Sequence, residues 1–135
     1  MNILIIDGQG GGIGKNIIEQ LIRKECPHKI IAVGTNSLAT ASMLKAGADA
    51  AATGENAVIF NSKKADIIAG PVGIISANSM YGEITPEMAV AVTESCAQKV
   101  LIPVSKSDIY IVSSSDKQMQ TYIEETVEYI RNYLG

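Results

Sequence analysis

A three-layer α/β domain built on a mostly parallel sheet is what this sequence predicts, and three observations predict it. Short unbroken apolar runs at residues 2–6, 29–33 and 66–69 suit strands covered on both faces. Between them lie stretches with helical spacing, of which Ile13, Ile17, Ile18, Leu21 and Ile22 form the clearest apolar stripe. Glycines or prolines close most of these segments, at Pro27, Gly34, Gly47 and Gly54. Strand and helix therefore alternate about five times, which implies right-handed crossovers and helices on both faces of the sheet.

Taken in order, residues 2–6 form the first strand and a helix runs from the glycine cluster to about Lys24. A second strand at 29–33 is followed by a short helix at 38–46. Residues 48–53, rich in alanine, are a third strand by position, and 55–63 the helix behind it. After the fourth strand at 66–69 comes "GPVGIISANSMYGEI", which has no clean period; a loop of this length in a compact domain is often functional. Thr85-Pro86-Glu87 is a helix start, since Thr caps free amides, Pro fits the first turn and Glu complements the dipole. Met88, Val92 and Cys96 mark the buried face of that helix. Two β-rich runs at 99–104 and 109–113 are joined only by "SKSD", too short for a helical crossover, so an antiparallel edge hairpin is expected near the C-terminus. Asp116 opens the last helix, whose stripe is Met119, Ile123, Val127, Ile130 and Leu134.

The 135 residues suit a single domain, 1–135. Eleven basic against fourteen acidic residues give a net charge of −3, and the basic ones are scattered, so no face is expected to bind nucleic acid. No apolar run approaches the roughly 20 residues a membrane span requires, and the start of the chain reads as a strand rather than a signal peptide. A cytoplasmic location is expected. Cys26 and Cys96 show no CxxC spacing, which argues against a metal site; both read as reduced, mostly buried thiols.

The functional signal is "DGQGGGIGKN" at residues 7–16. A strand entering a helix through glycines exposes backbone amides at the positive end of a dipole, and the missing side chains let an anion approach. Five glycines in seven residues exceed what one turn needs, because each costs about 1 kcal/mol of backbone entropy relative to alanine. Gly8, Gln9, Gly10, Gly11, Gly12, Ile13, Gly14 and Lys15 are therefore candidates to hold the phosphate of a nucleotide.

The spacing of Gly8, Gly12 and Gly14 resembles the glycine motif of the short-chain dehydrogenase/reductase family over roughly the first 35 residues. That resemblance implies that Gly8, Gly12, Ile13 and Gly14 line a dinucleotide pyrophosphate. The family's Tyr-x-x-x-Lys pair is absent, since no tyrosine here is followed four residues later by lysine, so its hydride-transfer chemistry is not expected. The second strand ends in "VGTNS" with no acidic residue for ribose hydroxyls. Thr35 and Asn36, with Ser37, could instead meet a ribose or a 2′-phosphate, which favours NADP over NAD. "GGIGKN" is also similar to the loop of ParA/MinD-type ATPases, with Lys15 near a phosphate, but Asn16 replaces the Mg²⁺-binding hydroxyl. An ATP-binding protein without efficient hydrolysis is the corresponding alternative.

Gly70 and Pro71, with Gly73, fall at the carboxyl edge of the sheet, where open α/β folds bind ligands, and could pack against a nucleotide. Ser76, Asn78, Ser79, Tyr81 and Glu83 would add polar groups; an ordered surface loop or a subunit contact is the alternative for this stretch. His28 reads as a surface residue. For general acid–base work only Tyr81, Glu83, Glu55 and Lys15 are plausible, and no reaction is assigned. Tyr122, Tyr129 and Tyr133 flank the stripe of the last helix, which suggests a homo-oligomer, most simply a dimer.

Taken whole, with "AGPVGIISANSMYGEITPEMA" beside the glycine loop, the chain resembles an uncharacterised family of short bacterial Rossmann-like proteins of unknown function. The resemblance implies the fold and carries no activity with it. The expectation is a small Rossmann-type protein binding a nucleotide or dinucleotide; the alternative is a ligand-free oligomeric scaffold.

Overall fold

A computed structural model describes residues 1–104, 109–112 and 117–135. Five strands, β1 (Asn2–Asp7), β2 (Lys29–Gly34), β3 (Ala50–Thr53), β4 (Ile67–Pro71) and β5 (Gln98–Ile102), form one sheet in the order β3-β2-β1-β4-β5. Every pairing is parallel. The helices are α1 (Gly12–Arg23), α2 (Ser37–Lys45), α3 (Glu55–Ser62), α4 (Pro86–Glu94) and α5 (Met119–Leu134), with a 3₁₀ turn at Val72–Ile75. The three-layer α/β architecture expected from the alternation is present.

The strand alternation divides the core in two. Ile3 and Ile5 of β1 join Ile17, Ile18 and Leu21 of α1, Met43 of α2, and Ile123, Val127 and Ile130 of α5. Leu4 and Ile6 face the other way, onto Val58 of α3, Met88 and Val92 of α4, and Ile74 and Ile84. All four β1 side chains are at most 1% exposed, as a central parallel strand requires. The stripe read for α1 holds for Ile17, Ile18 and Leu21, whereas Ile22 is exposed. Cys26 is half-buried and Cys96 exposed, both free thiols, so Cys96 does not lie on the buried face of α4 as expected; that helix ends at Glu94.

The expected antiparallel hairpin is not present among the described residues. β5 is reached from β4 through α4, and so pairs parallel with β4, Ile67 opposite Gln98 through Pro71 opposite Ile102. Residues 109–112 carry no strand. Their alternating apolar side chains Ile109 and Ile111 instead line a cleft at the carboxyl ends of the strands. The connector 105–108, Ser113 and Asp116 lie outside the described residues.

Sheet order makes the site. From β1 the chain moves outward through β2 to β3, then crosses to the opposite side of β1 for β4 and β5. The carboxyl ends of β1 and β4 are therefore the point at which the direction of winding reverses, the usual place for a ligand crevice in an open α/β sheet.

Candidate functional site

A cleft of about 970 Å³ opens above the ends of β1 and β4. One wall is the glycine loop, from Asp7 through Ile13. The other is the segment after β4, which contributes Pro71, Val72, Gly73, Ile75, Ser76, Ser79, Met80 and Tyr81, with Val104, Ile109 and Ile111 at the far side. Apolar walls with a few polar groups are the common composition of a small-molecule site, and the volume is at the upper end of the usual range.

The glycine loop is pinned by a residue the sequence reading passed over. Asp7, the last residue of β1, is 4% exposed, and its carboxylate accepts the Gly8 amide on Oδ1 and the Gly14 amide on Oδ2, each at 2.7 Å. Burial holds its carboxyl above the ordinary carboxylate value, against the lowering effect of the Gly14, Gly8 and Ile13 amides. An acidic residue closing an otherwise apolar strand immediately before a glycine turn was the available signal. Its carboxylate answers the Gly14 amide in the first turn of α1 and leaves the Gly12 amide open.

Three further amides are engaged. Gly11 N–H bonds to the Gly8 carbonyl at 2.9 Å and Lys15 N–H to the Gly11 carbonyl at 2.8 Å, while Gln9 N–H donates to Glu83 Oε1 at 2.8 Å. Among the described residues, nothing accepts a bond from the amides of Gly10 or Gly12. Those two residues also lack any internal reason to be glycine. A Cβ at either would meet nothing within 4 Å, and neither φ is positive. Gly11 differs: its φ is +74°, and a Cβ there would stand 2.9 Å from the Ala39 backbone. Gly14 packs against Met43 and Asp7, and Gly70 against the Ile6 carbonyl of the neighbouring strand.

The remaining candidates are divided between the cleft and its surroundings. Pro71 lines the cleft; Gly70, one residue earlier, does not. Lys15 is also outside it, half-exposed on α1 with its ammonium 3.9 Å from Glu19. Thr35 and Asn36, at the end of β2, both donate to Glu83 Oε1, at 2.5 and 3.1 Å. Burial acts to raise the Glu83 carboxyl, but the bonds from Gln9, Thr35 and Asn36 outweigh it and hold the group below the ordinary value. The acid missing from the end of β2 is thus supplied from 48 residues away by the loop, a contact no local pattern could have revealed. Glu55 accepts from the Thr85 hydroxyl at 2.6 Å, and His28 sits before β2, at the opposite end of the sheet. Asp7 and Tyr81 are the titratable groups among the described cleft-lining residues.

The segment over the cleft is held in an unusual conformation. Asn78, Met80 and Tyr81 have φ of 67°, 57° and 56°, and Gly82 follows at 88°. Non-glycine residues in this region cost of order 1 kcal/mol or more each and persist where surrounding bonds enforce them. Here Asn78 N–H bonds to the Ile84 carbonyl at 2.7 Å and Ser79 Oγ to the Gly73 carbonyl at 2.5 Å. The Tyr81 ring is fully exposed at the mouth of the cleft.

A family model described as a domain of unknown function, DUF3842, matches residues 2–135. The chain belongs to the DUF3842 family. No curated protein matches it. The match spans the glycine loop, the segment over the cleft and α5 together. The DUF3842 description assigns no activity. Among the described residues, no group of three or more His, Cys, Asp or Glu could hold a metal ion, and no helix is long and apolar enough to cross a membrane.

Proposed function

We propose that this domain is a binding module for a nucleotide-type ligand, with no reaction assigned, that holds a phosphate on the amides of Gly10 and Gly12 and the rest of the ligand in the cleft beside β4. The observation that carries this reading is the pair itself. Packing among the described residues gives no reason for two glycines with ordinary φ, open space where a Cβ would stand and amides that no described residue accepts, and all three features suit the approach of an anion. Ile75, Met80, Val104 and Ile109 offer an apolar wall for a base or similar ring, with the exposed Tyr81 ring at the mouth of the cleft.

The cleft carries no lysine or arginine among its described lining residues, so the phosphate would rest on amides and the α1 dipole alone, with Asp7 opposing it. Lys15 lies off the cleft, and the ATPase-like reading of the loop gains nothing from its position. Of the dinucleotides, NADP or NAD would need the end of β2, where Thr35 and Asn36 are engaged by Glu83; a mononucleotide-sized ligand fits the open part better. A dimer through α5 belongs to the same reading, supported by the exposed Tyr129 and Tyr133 rings, which stack with centroids 6.1 Å apart. Light scattering that returned the 14.3 kDa monomer at high concentration would remove it.

The test is thermal unfolding with AMP, ATP, GTP, FMN, NAD, NADP and inorganic phosphate, on the natural protein and on a Gly10→Ala/Gly12→Ala variant. A ligand at 100 times its dissociation constant stabilises by about 2.7 kcal/mol, several degrees for a domain of this size. The expected result is a shift with at least one nucleotide in the natural protein and none in the variant. An equal shift in both, or no shift with any compound, overturns the reading.

A further inference from the structure

Three hydrogen-bond donors from two separate parts of the chain converge on one oxygen at the tips of β1 and β2. The Gln9 backbone N–H, the Thr35 hydroxyl and the Asn36 side-chain amide all point at Glu83 Oε1, at 2.8, 2.5 and 3.1 Å. The donors belong to the glycine loop and to the turn after β2, whereas the acceptor comes from the segment over the cleft, 47 to 74 residues later in sequence. The backbone at Gly8 is shaped to admit it. A Cβ there would stand 2.5 Å from the Met80 sulfur and the Thr35 hydroxyl and 2.8 Å from Glu83 Oε1.

We infer that this donor set is a second anion subsite beside the cleft, joined to it at Gln9, and that Glu83 is its built-in competitor: a ligand phosphate or carboxylate takes the three donors only by displacing the Glu83 carboxylate. The inference rests on the reading of the cleft as a nucleotide site and extends it to the opposite side of β1. A phosphate oxygen has the same acceptor chemistry as Glu83 Oε1, and donors fixed by β1, β2 and the cap of α2 need not move to receive it. Glu83 can leave at modest cost because it is partly exposed to water. Asn36 remains in place meanwhile, since its Oδ1 caps α2 through the Ala39 amide at 2.8 Å and its Nδ2 also donates to the Gln9 carbonyl at 2.9 Å. With Glu83 seated, the cleft admits a ligand with one anionic group, on Gly10 and Gly12. With Glu83 displaced, a ligand that extends past Gln9 seats a second anionic group beside the cleft.

Isothermal titration with inorganic phosphate and with NADP tests this on four proteins: the natural chain, Glu83→Ala, Glu83→Gln, and Glu83→Ala combined with Thr35→Val. Removing the competitor is expected to raise affinity for inorganic phosphate at least tenfold in Glu83→Ala and by a smaller factor in Glu83→Gln, whose neutral amide competes less well. The added affinity should vanish in the double variant and should survive Gly10→Ala/Gly12→Ala in the Glu83→Ala background. Unchanged phosphate and NADP affinity in folded Glu83→Ala, or a gain that Thr35→Val does not remove, overturns the inference. So does the failure of both single variants to fold, since Glu83 would then be a brace for the loop. The two readings fail separately: loss of the gain on Gly10→Ala/Gly12→Ala assigns the new affinity to the first subsite and sinks the second, while a gain that persists without those glycines leaves the second standing alone.

Discussion

At the scale of single residues, the glycine loop separates into positions that serve the fold and positions that do not, and stability can distinguish them. Gly11 needs its left-handed φ and its close approach to Ala39, so Gly11→Ala should destabilise by more than about 1 kcal/mol. Gly10→Ala and Gly12→Ala place a methyl in open space at a φ that alanine accepts, and should each stabilise by about 0.4–1 kcal/mol through the unfolded chain. Urea unfolding of the three variants checks this; destabilisation at Gly12 comparable to that at Gly11 would mean a structural need for both. The two carboxyls of the site respond oppositely to pH. Glu83 has a folded pKa below its ordinary 4.5, so its contribution is present above that value and is lost as the pH falls through the folded pKa. Asp7 has a folded pKa above its ordinary 3.8, so its ionisation weakens the fold progressively as the pH rises from there through the folded value. The stability gap between the natural chain and Glu83→Gln should therefore shrink on acidification below about pH 4.5, while that between the natural chain and Asp7→Asn should move in favour of the natural chain. Urea midpoints at half-unit steps between pH 3 and 7 measure both, and parallel curves for either pair would refute the assignment for that residue.

At the scale of elements, the apolar pattern placed the described helices and the strands β1, β2, β4 and β5 to within a few residues, whereas alanine-rich β3 was placed only by its position before Gly54 and the helix that follows. Caps were legible for the same local reason. Thr85 accepts the Met88 amide at 3.1 Å, as its place before Pro86 and Glu87 suggested, and it also donates to Glu55. Thr85→Ala should cost about 1 kcal/mol and Thr85→Ser much less, read as a shift in urea midpoint; equal losses would show that the methyl, not the hydroxyl, matters. What misled was Ile109 and Ile111, whose twofold alternation is the same whether it faces a sheet or the wall of a cleft. The site was legible to a similar depth. The glycine loop announced itself, but which of its amides remain free depends on Asp7, which stands at the head of that motif with no role legible in it, and on Glu83, 74 residues from Gln9. Long-range polar contacts leave no period in the sequence, so the candidates Thr35 and Asn36 could be named without their partner being visible.

At the scale of the molecule, the decisive feature is that one sheet serves two cores and one cleft. Successive residues of β1 enter opposite cores, Ile3 and Ile5 with α1 and α5, Leu4 and Ile6 with α3 and α4, and the same strand ends in Asp7 beneath the cleft. Neither core can dissolve without withdrawing support from strands the other needs, so the domain should unfold as one cooperative unit. Ile17→Val in the first core and Ile84→Val in the second each remove one buried methylene and should cost about 0.5–1.5 kcal/mol. The two residues belong to separate cores with the sheet between them, so their costs should add to within about 0.5 kcal/mol in the double variant, with one transition and an unchanged denaturant slope. Two resolved transitions, or a slope that falls in Ile84→Val alone, would mean that the α3–α4 layer and the segment over the cleft form a separately melting unit. Opening of the cleft would then be set by local unfolding of that layer rather than by exchange of Glu83 for a ligand.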